Sequence, residues 1–199
     1  MLRVGLTGSI AVGKSHVCEV FRELGCYVLD ADQTAREVVR PGTKGLSRIV
    51  EAFGNGVLQV SGELDRKKLG AMVFADKEKL ERLNAIVHPL VIEAQDEWIR
   101  GVEARDPNGI AIIDAALMIE SGGYKRFDKL IVVWCNPDIQ LERLMKRDGL
   151  SKEDAEARIR AQMPQEEKKR FADHLIDTSA GFDETREQVK KVFAELKGV

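Results

Sequence analysis

The chain has 199 residues, enough for one sizeable core and a small inserted subdomain but not for two full domains. Its 31 basic and 33 acidic side chains nearly balance, so no global field recruits nucleic acid or a membrane surface, and any basic site must be local. Cys18, Cys26 and Cys135 stand far apart, with no C-x-x-C pair and no zinc spacing with His16, His88 or His174; no signal-peptide pattern or membrane-length apolar run appears, so a reduced, cytoplasmic protein is expected.

In chain order, Arg3 to Thr7 reads as a short buried strand, followed by a loop to Gly13 and a helix from Lys14 to about Leu24. Gly25 stands where a left-handed glycine closes a helix. A second strand at Cys26 to Asp30 and a helix from Ala31 to Val39 follow, and Pro41-Gly42 ends this unit. Residues 43–108 change character: helical periods run over 46–53, 65–74, 76–86 and 89–102, with Pro89 at the first position of the last. Only 57–60 reads as a strand there, so the segment is expected to be a helical insertion. Apolar runs at Ile110 to Asp114 and Leu130 to Cys135 suit strands buried on both faces. A helix from Asp138 to Arg147 comes next, then one starting at Ser151, whose spacing to Asp154 fits a capping box. A strand at His174 to Ile176 and a helix from about Asp183 complete the chain. This alternation predicts an α/β fold with a doubly wound, parallel five-stranded sheet. Residues 1–42, 109–137 and 166–199 form its core, 43–108 the insertion and 138–165 a helical lid.

Gly8-Ser-Ile-Ala11-Val12-Gly13-Lys14-Ser15 fits G-x-x-x-x-G-K-S. Its glycines let the backbone wrap so that successive N–H groups point at phosphate oxygens, and the following helix end adds positive charge. Lys14 is placed to reach the β- and γ-phosphates, and the Ser15 hydroxyl to ligate Mg²⁺. From average residue usage, a chance match in a chain of this length is under about 1%. Gly8, Ala11, Val12, Gly13, Lys14, Ser15 and His16 are therefore the expected nucleotide-binding residues.

Ligands of a doubly wound sheet sit beyond the carboxyl ends of its strands, where Asp30, Asp32 and Asp114 fall. Asp32 is placed to act as a general base towards a substrate hydroxyl, or else to cap the next helix or pair with Arg36; the residues alone leave both open. Asp114 suits a second acid beside Mg²⁺, acting through water, or a hydrogen bond to the phosphate loop. Arg143 and Arg147 share one helix face, with Arg158 and Arg160 on the next helix; they form either a lid over the phosphates or a solvated basic face.

Several segments together resemble the dephospho-CoA kinase family, a branch of the phosphate-loop (P-loop) kinases. They are Gly5-Leu-Thr7-Gly8 with the loop, Leu29-Asp-Ala-Asp32 with Ala35-Arg36, Gly62-Glu-Leu-Asp-Arg66, and Leu83-Asn-Ala-Ile-Val-His88-Pro89. Asp114 to Glu120, Gln140-Leu-Glu-Arg143 with Arg147, Gln162 and Ala172 to Asp177 complete the set. The resemblance implies ATP and dephospho-CoA as substrates, Mg²⁺ as cofactor, and transfer to the ribose 3′-hydroxyl. It gives Asp32 the part of the general base, Arg143 that of the lid arginine, and Arg147 a place at ATP. Thr7, Asp30, Arg36, Arg66 and His88 become acceptor-side residues. A monomer or weak homo-oligomer is expected. The chain departs from the family pattern at Ala116 to Glu120, at Thr178 and at His16. Two other readings compete: another small-molecule or nucleotide kinase with the same loop, or a GTP-binding switch protein. The switch reading lacks an N-K-x-D element, and Asp106-Pro-Asn-Gly109 precedes a strand where D-x-x-G should end one.

Overall fold

The computed structural model describes residues 1–198. Strands β1 (Leu2–Thr7), β2 (Tyr27–Asp30), β3 (Ile110–Asp114), β4 (Lys129–Trp134) and β5 (His174–Asp177) form one parallel sheet in the order β2-β3-β1-β4-β5. Leu6 of β1 lies opposite Asp114 of β3 and Ile131 of β4, and Val133 of β4 opposite Ile176 of β5. From β1 the chain crosses to the edge strand β2, returns to place β3 between β2 and β1, and then adds β4 and β5 on the other side, which puts the switch in strand order beside β1. That is where such a sheet leaves a crevice for ligands.

The helices are α1 (Lys14–Glu23), α2 (Ala31–Glu37), α3 (Lys44–Phe53), α4 (Arg66–Phe74), α5 (Lys77–Arg105), α6 (Pro137–Asp148), α7 (Lys152–Arg160), α8 (Gln165–Lys169) and α9 (Phe182–Lys197). Their starts follow local chemistry. The Thr43 hydroxyl accepts from the Leu46 N–H at α3, Asp65 from Lys68 at α4, and Asn136 from Asp138 at α6 with Pro137 at the first position. Ser151 accepts from the Asp154 N–H and donates its own hydroxyl to the Asp154 carboxylate at 2.8 Å. Gly25 follows α1 at φ +89°, the left-handed conformation expected of it.

The chain divides into two units, Met1–Leu29 with Val102–Val199, and Asp30–Gly101. In the first, Val4, Leu6, Ile110, Ile112, Ile131, Val133 and Ile176 from the sheet pack with Val17, Phe21, Val189 and Val192 from α1 and α9. Burying Phe21 completely contributes about 1.5–3 kcal/mol. The second unit has a separate core of Val39, Leu46, Ile49, Val57, Leu64, Leu69 and Val73.

Three elements differ from expectation. Pro89 does not start a helix but lies inside α5, so the two expected helices are one. Proline removes one N–H bond, yet Leu83, Ile86 and Val87 before it pack on the unit's core and hold the helical path. The strand at 57–60 reduces to a 3-10 turn at Asn55–Val57 and one antiparallel bridge, Leu58 with Leu64, because Ser61 and Gly62 (φ +82°) turn the chain at once. Helix α8 is not expected from the sequence, because its five residues are too short to show a period.

Candidate active site

The phosphate loop leaves β1 through Thr7, which is fully buried and donates its hydroxyl to the Ala116 carbonyl at 3.2 Å. At Gly8 any Cβ would meet the Val133 carbonyl oxygen and come within 2.9 Å of Val12 Cγ2, so only glycine fits. Ala11 (φ +59°) and Gly13 (φ +85°) are both left-handed. An alanine there is strained by about 1–2 kcal/mol, and alternation with ordinary residues turns N–H groups into a concave anion cradle. Helix α1 starts directly at Lys14 with no acidic residue in its first turn, so its positive end is uncompensated.

Lys14 Nζ lies 2.6 Å from Asp114 Oδ1, and both side chains are largely buried. The other carboxylate oxygen, Oδ2, accepts from the Cys18 thiol at 3.5 Å. Burial, with Asp114's charge second, pushes that thiol far above its ordinary range, which keeps it a neutral donor. The sequence left open whether Asp114 meets a metal or the loop; the structure joins it to the loop through Lys14. Ser15 is exposed beside it, and the His16 ring sits 4.7 Å from the Phe182 ring, edge to face.

Side chains from beyond the loop fix its outer strand. Thr178 Oγ1 donates to the Val12 carbonyl at 2.7 Å. The guanidinium of Arg143 grips that threonine twice, through Oγ1 at 2.9 Å and the carbonyl at 2.8 Å. Ile10 is held on both polar groups: Gln162 accepts from its N–H at 2.7 Å and Gln140 donates to its carbonyl at 2.8 Å. Gln165 bonds Gln140 at 2.7 Å and accepts from the Cys135 N–H. Lys168, fully buried, is satisfied by the Ala116 carbonyl and Glu120, each at 2.8 Å. The roles of Gln140, Gln165 and Lys168 were missed from the sequence. The available signal was polar residues standing at buried helical positions. Arg147 is turned to Asp148, which also holds Arg158 at 2.9 Å; Arg147, before Arg158, keeps that carboxyl below its usual range.

In the second unit it is Asp30, not Asp32, that caps α2, accepting from the Asp32 and Gln33 N–H groups at 2.7 and 3.0 Å. Asp32 is exposed in the first turn. Arg66 donates to the Arg36 carbonyl at 3.2 Å, and both arginines line a cleft of about 350 Å³ with Arg40, Lys67, Glu63 and Asp65. Burial, then the charge of Arg36, draws Arg66 below the usual guanidinium range. His88 is exposed on α5 and is not part of that cleft's lining.

The family model for dephospho-CoA kinase matches residues 2–184. The chain belongs to the dephospho-CoA kinase family. The family member from Aquifex aeolicus is 44% identical over 196 residues, covering 98% of both chains. That from Geobacillus kaustophilus is 46% identical, covering 98% of this chain and 96% of the relative. Among solved structures, dephospho-CoA kinase from Campylobacter jejuni aligns at TM-score 0.74 and 31% identity over 98% of this chain and 97% of the other. A Thermus thermophilus protein aligns at TM-score 0.83 and 35% identity with the same coverage. Shikimate kinase from Bacteroides thetaiotaomicron, at TM-score 0.55 and 16% identity, shares the fold alone. Membership makes this an ATP-dependent kinase. Among the described residues no helix is long and apolar enough to cross a membrane.

Proposed function

We infer that this chain transfers the γ-phosphoryl group of ATP to the 3′-hydroxyl of the ribose of dephospho-CoA, giving coenzyme A. The observation that carries the phosphoryl half is the loop at Gly8–Ser15, with its left-handed turns and Lys14 anchored by Asp114. Backbone N–H groups hold the phosphates, while Lys14 neutralises charge gathering on the transferred group. Mg²⁺ fits the hard oxygens of the Ser15 hydroxyl and, through water, Asp114; when bound it offsets charge on the β- and γ-phosphate oxygens. Asp32 takes the proton of the attacking hydroxyl. Arg143, with Arg147 on the same helix, belongs to a lid at 138–165 that releases Thr178 and turns its fork to the phosphates when they arrive.

The acceptor half rests on the second unit, in which Arg36, Arg40, Arg66 and Lys67 surround one cleft. Three cations, Arg66, Lys67 and Lys68, open α4. Positive charge at a helix's positive end is unfavourable for stability, and an anionic substrate such as a diphosphate explains its presence. Thr7, Asp30 and His88 complete the acceptor-side assignment. All three cysteines are buried and free, in keeping with a cytoplasmic protein, working as a monomer or weak homo-oligomer.

Purified protein should release ADP with ATP, Mg²⁺ and dephospho-CoA, and not with shikimate or nucleoside monophosphates in its place. Turnover of one of those acceptors without turnover of dephospho-CoA refutes the assignment.

A further inference from the structure

A line of hydrogen-bonded amides runs from the sheet to the phosphate loop. The Cys135 N–H, just past β4, donates to Gln165 Oε1 at 3.0 Å. Gln165 Nε2 donates to Gln140 Oε1 at 2.7 Å, and Gln140 Nε2 donates to the Ile10 carbonyl at 2.8 Å. A backbone donor stands at one end and a backbone acceptor at the other, so each side-chain amide has only one orientation that satisfies all three bonds. Gln140 is 1% exposed, which makes either end of its amide costly to leave unpaired.

A trans peptide is planar, with its C=O and N–H pointing opposite ways. Drawing the Ile10 carbonyl outwards to Gln140 therefore turns the Ala11 N–H inwards, to the concave side of the loop. Val12 and Gly13 repeat the arrangement, with Thr178 holding the carbonyl. In both places the residue after the held carbonyl is left-handed, at φ +59° for Ala11 and +85° for Gly13. Glycine adopts that conformation about as readily as its mirror, whereas the Cβ of alanine crowds the carbonyl that follows. Left unheld, the Ile10–Ala11 peptide would flip by about 180°, taking Ala11 to a relaxed φ of about −120° and aiming a carbonyl oxygen at the phosphates.

We propose that Gln140 is a positioning residue: by holding the Ile10 carbonyl outwards, it keeps Ala11 left-handed and the Ala11 N–H aimed at the nucleotide's phosphates. Gln162 assists from the other side of Ile10, accepting from its N–H at 2.7 Å, so both peptides of that residue are fixed. The proposal rests on the reading of Gly8–Ser15 as the ATP site.

The test is calorimetric titration of the full chain with ADP. Gln140→Met keeps the length of the side chain and removes its donor, and should weaken ADP binding by about tenfold, the scale of one lost hydrogen bond. Adding Ala11→Gly should bring most of that affinity back. Glycine takes the left-handed form unaided in about half of the molecules, so the double variant should bind within about twofold of Ala11→Gly alone. If Gln140 served packing only, its loss would lower Tm and glycine at position 11 would rescue nothing. Gln140→Asn keeps a polar partner for Gln165 but is one methylene too short to hold the Ile10 carbonyl as well; it repeats the comparison should the apolar variant fail to fold. Unmodified ADP affinity in either folded Gln140 variant overturns the proposal, as does a loss that Ala11→Gly leaves in place. An unmodified protein that binds no ADP refutes the ATP-site reading, and the proposal with it.

Discussion

Gly8→Ala tests whether the loop's close approach to the sheet sets its catalytic geometry. The added methyl would stand 2.9 Å from Val12 Cγ2, about 0.5 Å inside ordinary contact, and deeper still against the Val133 carbonyl oxygen. Val133 is fully buried on a strand paired on both sides, so the loop must give way. Overpacking of this kind costs roughly 1–3 kcal/mol. For about 200 residues that lowers Tm by roughly 2–4 °C per kcal/mol. Lifting the phosphate cradle towards 1 Å from its place lowers kcat/KM by about 10²-fold. Coupled ADP-release kinetics and a thermal melt read both. Gly25→Ala is the control: its Cβ meets nothing within 4 Å, so its positive φ costs stability alone and leaves kcat/KM unchanged. Wild-type kcat/KM in Gly8→Ala, or equal activity losses in the two variants, refutes the argument.

Asp32→Asn should lower kcat by the ~10²–10⁴ typical of a general base while ATP affinity holds; retained turnover makes Asp32 structural. Arg143→Lys should reduce kcat about 10²-fold, since an ammonium cannot reproduce a planar fork that reaches two oxygens; an unchanged rate removes Arg143 from the transition state. Burial pushes the Cys26 thiol up to about 12 from an ordinary 9.0, and raises Cys135 as well. A raised folded-state value means the thiol's contribution to stability is complete below pH 9.0 and is lost as pH climbs towards 12. At pH 8 iodoacetamide should therefore label Cys26 only as fast as the chain unfolds; rapid labelling of folded protein, read by mass spectrometry, contradicts this. Lys67→Gln should raise the KM for dephospho-CoA several-fold with kcat and the KM for ATP unchanged, and raise Tm slightly; an unchanged acceptor KM removes the cleft from the acceptor site.

Where a feature depended on local chain chemistry, it was legible in the residues. The phosphate loop, the helix ending at Gly25, the capping by Ser151 and the apolar strands at 110 and 130 all lie within a few positions of their cause. Pairings across the chain were not legible in that way. Gln140 to Ile10 spans 130 residues and Thr178 to Val12 spans 166. Thr178 reads as a minor departure in the sequence, yet it joins the loop to Arg143. Pro89 misled because its local preference for a helix start is real, but packing of the turns before it on the unit's core outweighs one missing hydrogen bond.

The cleft of the second unit shows the same contest between stability and use, with the opposite outcome. Asp65 caps α4 as stability asks, accepting from Lys68 at 2.9 Å, but the next three residues are Arg66, Lys67 and Lys68. An acid in that first turn would gain about 0.3–1 kcal/mol from the helix end, and each cation forgoes it. Arg66 recovers part of the loss by donating to the last turn of α2 at the Arg36 carbonyl, which needs a partner at that negative end. No such return is visible for Lys67, which lines the cleft without a described anionic partner. A charge kept where the fold does not want it points to a ligand that does. The weaker acceptor binding expected of Lys67→Gln, beside a small rise in Tm, separates this account from a merely solvated basic face: a solvated lysine at the same helix end gives the rise in Tm and leaves the acceptor KM unchanged.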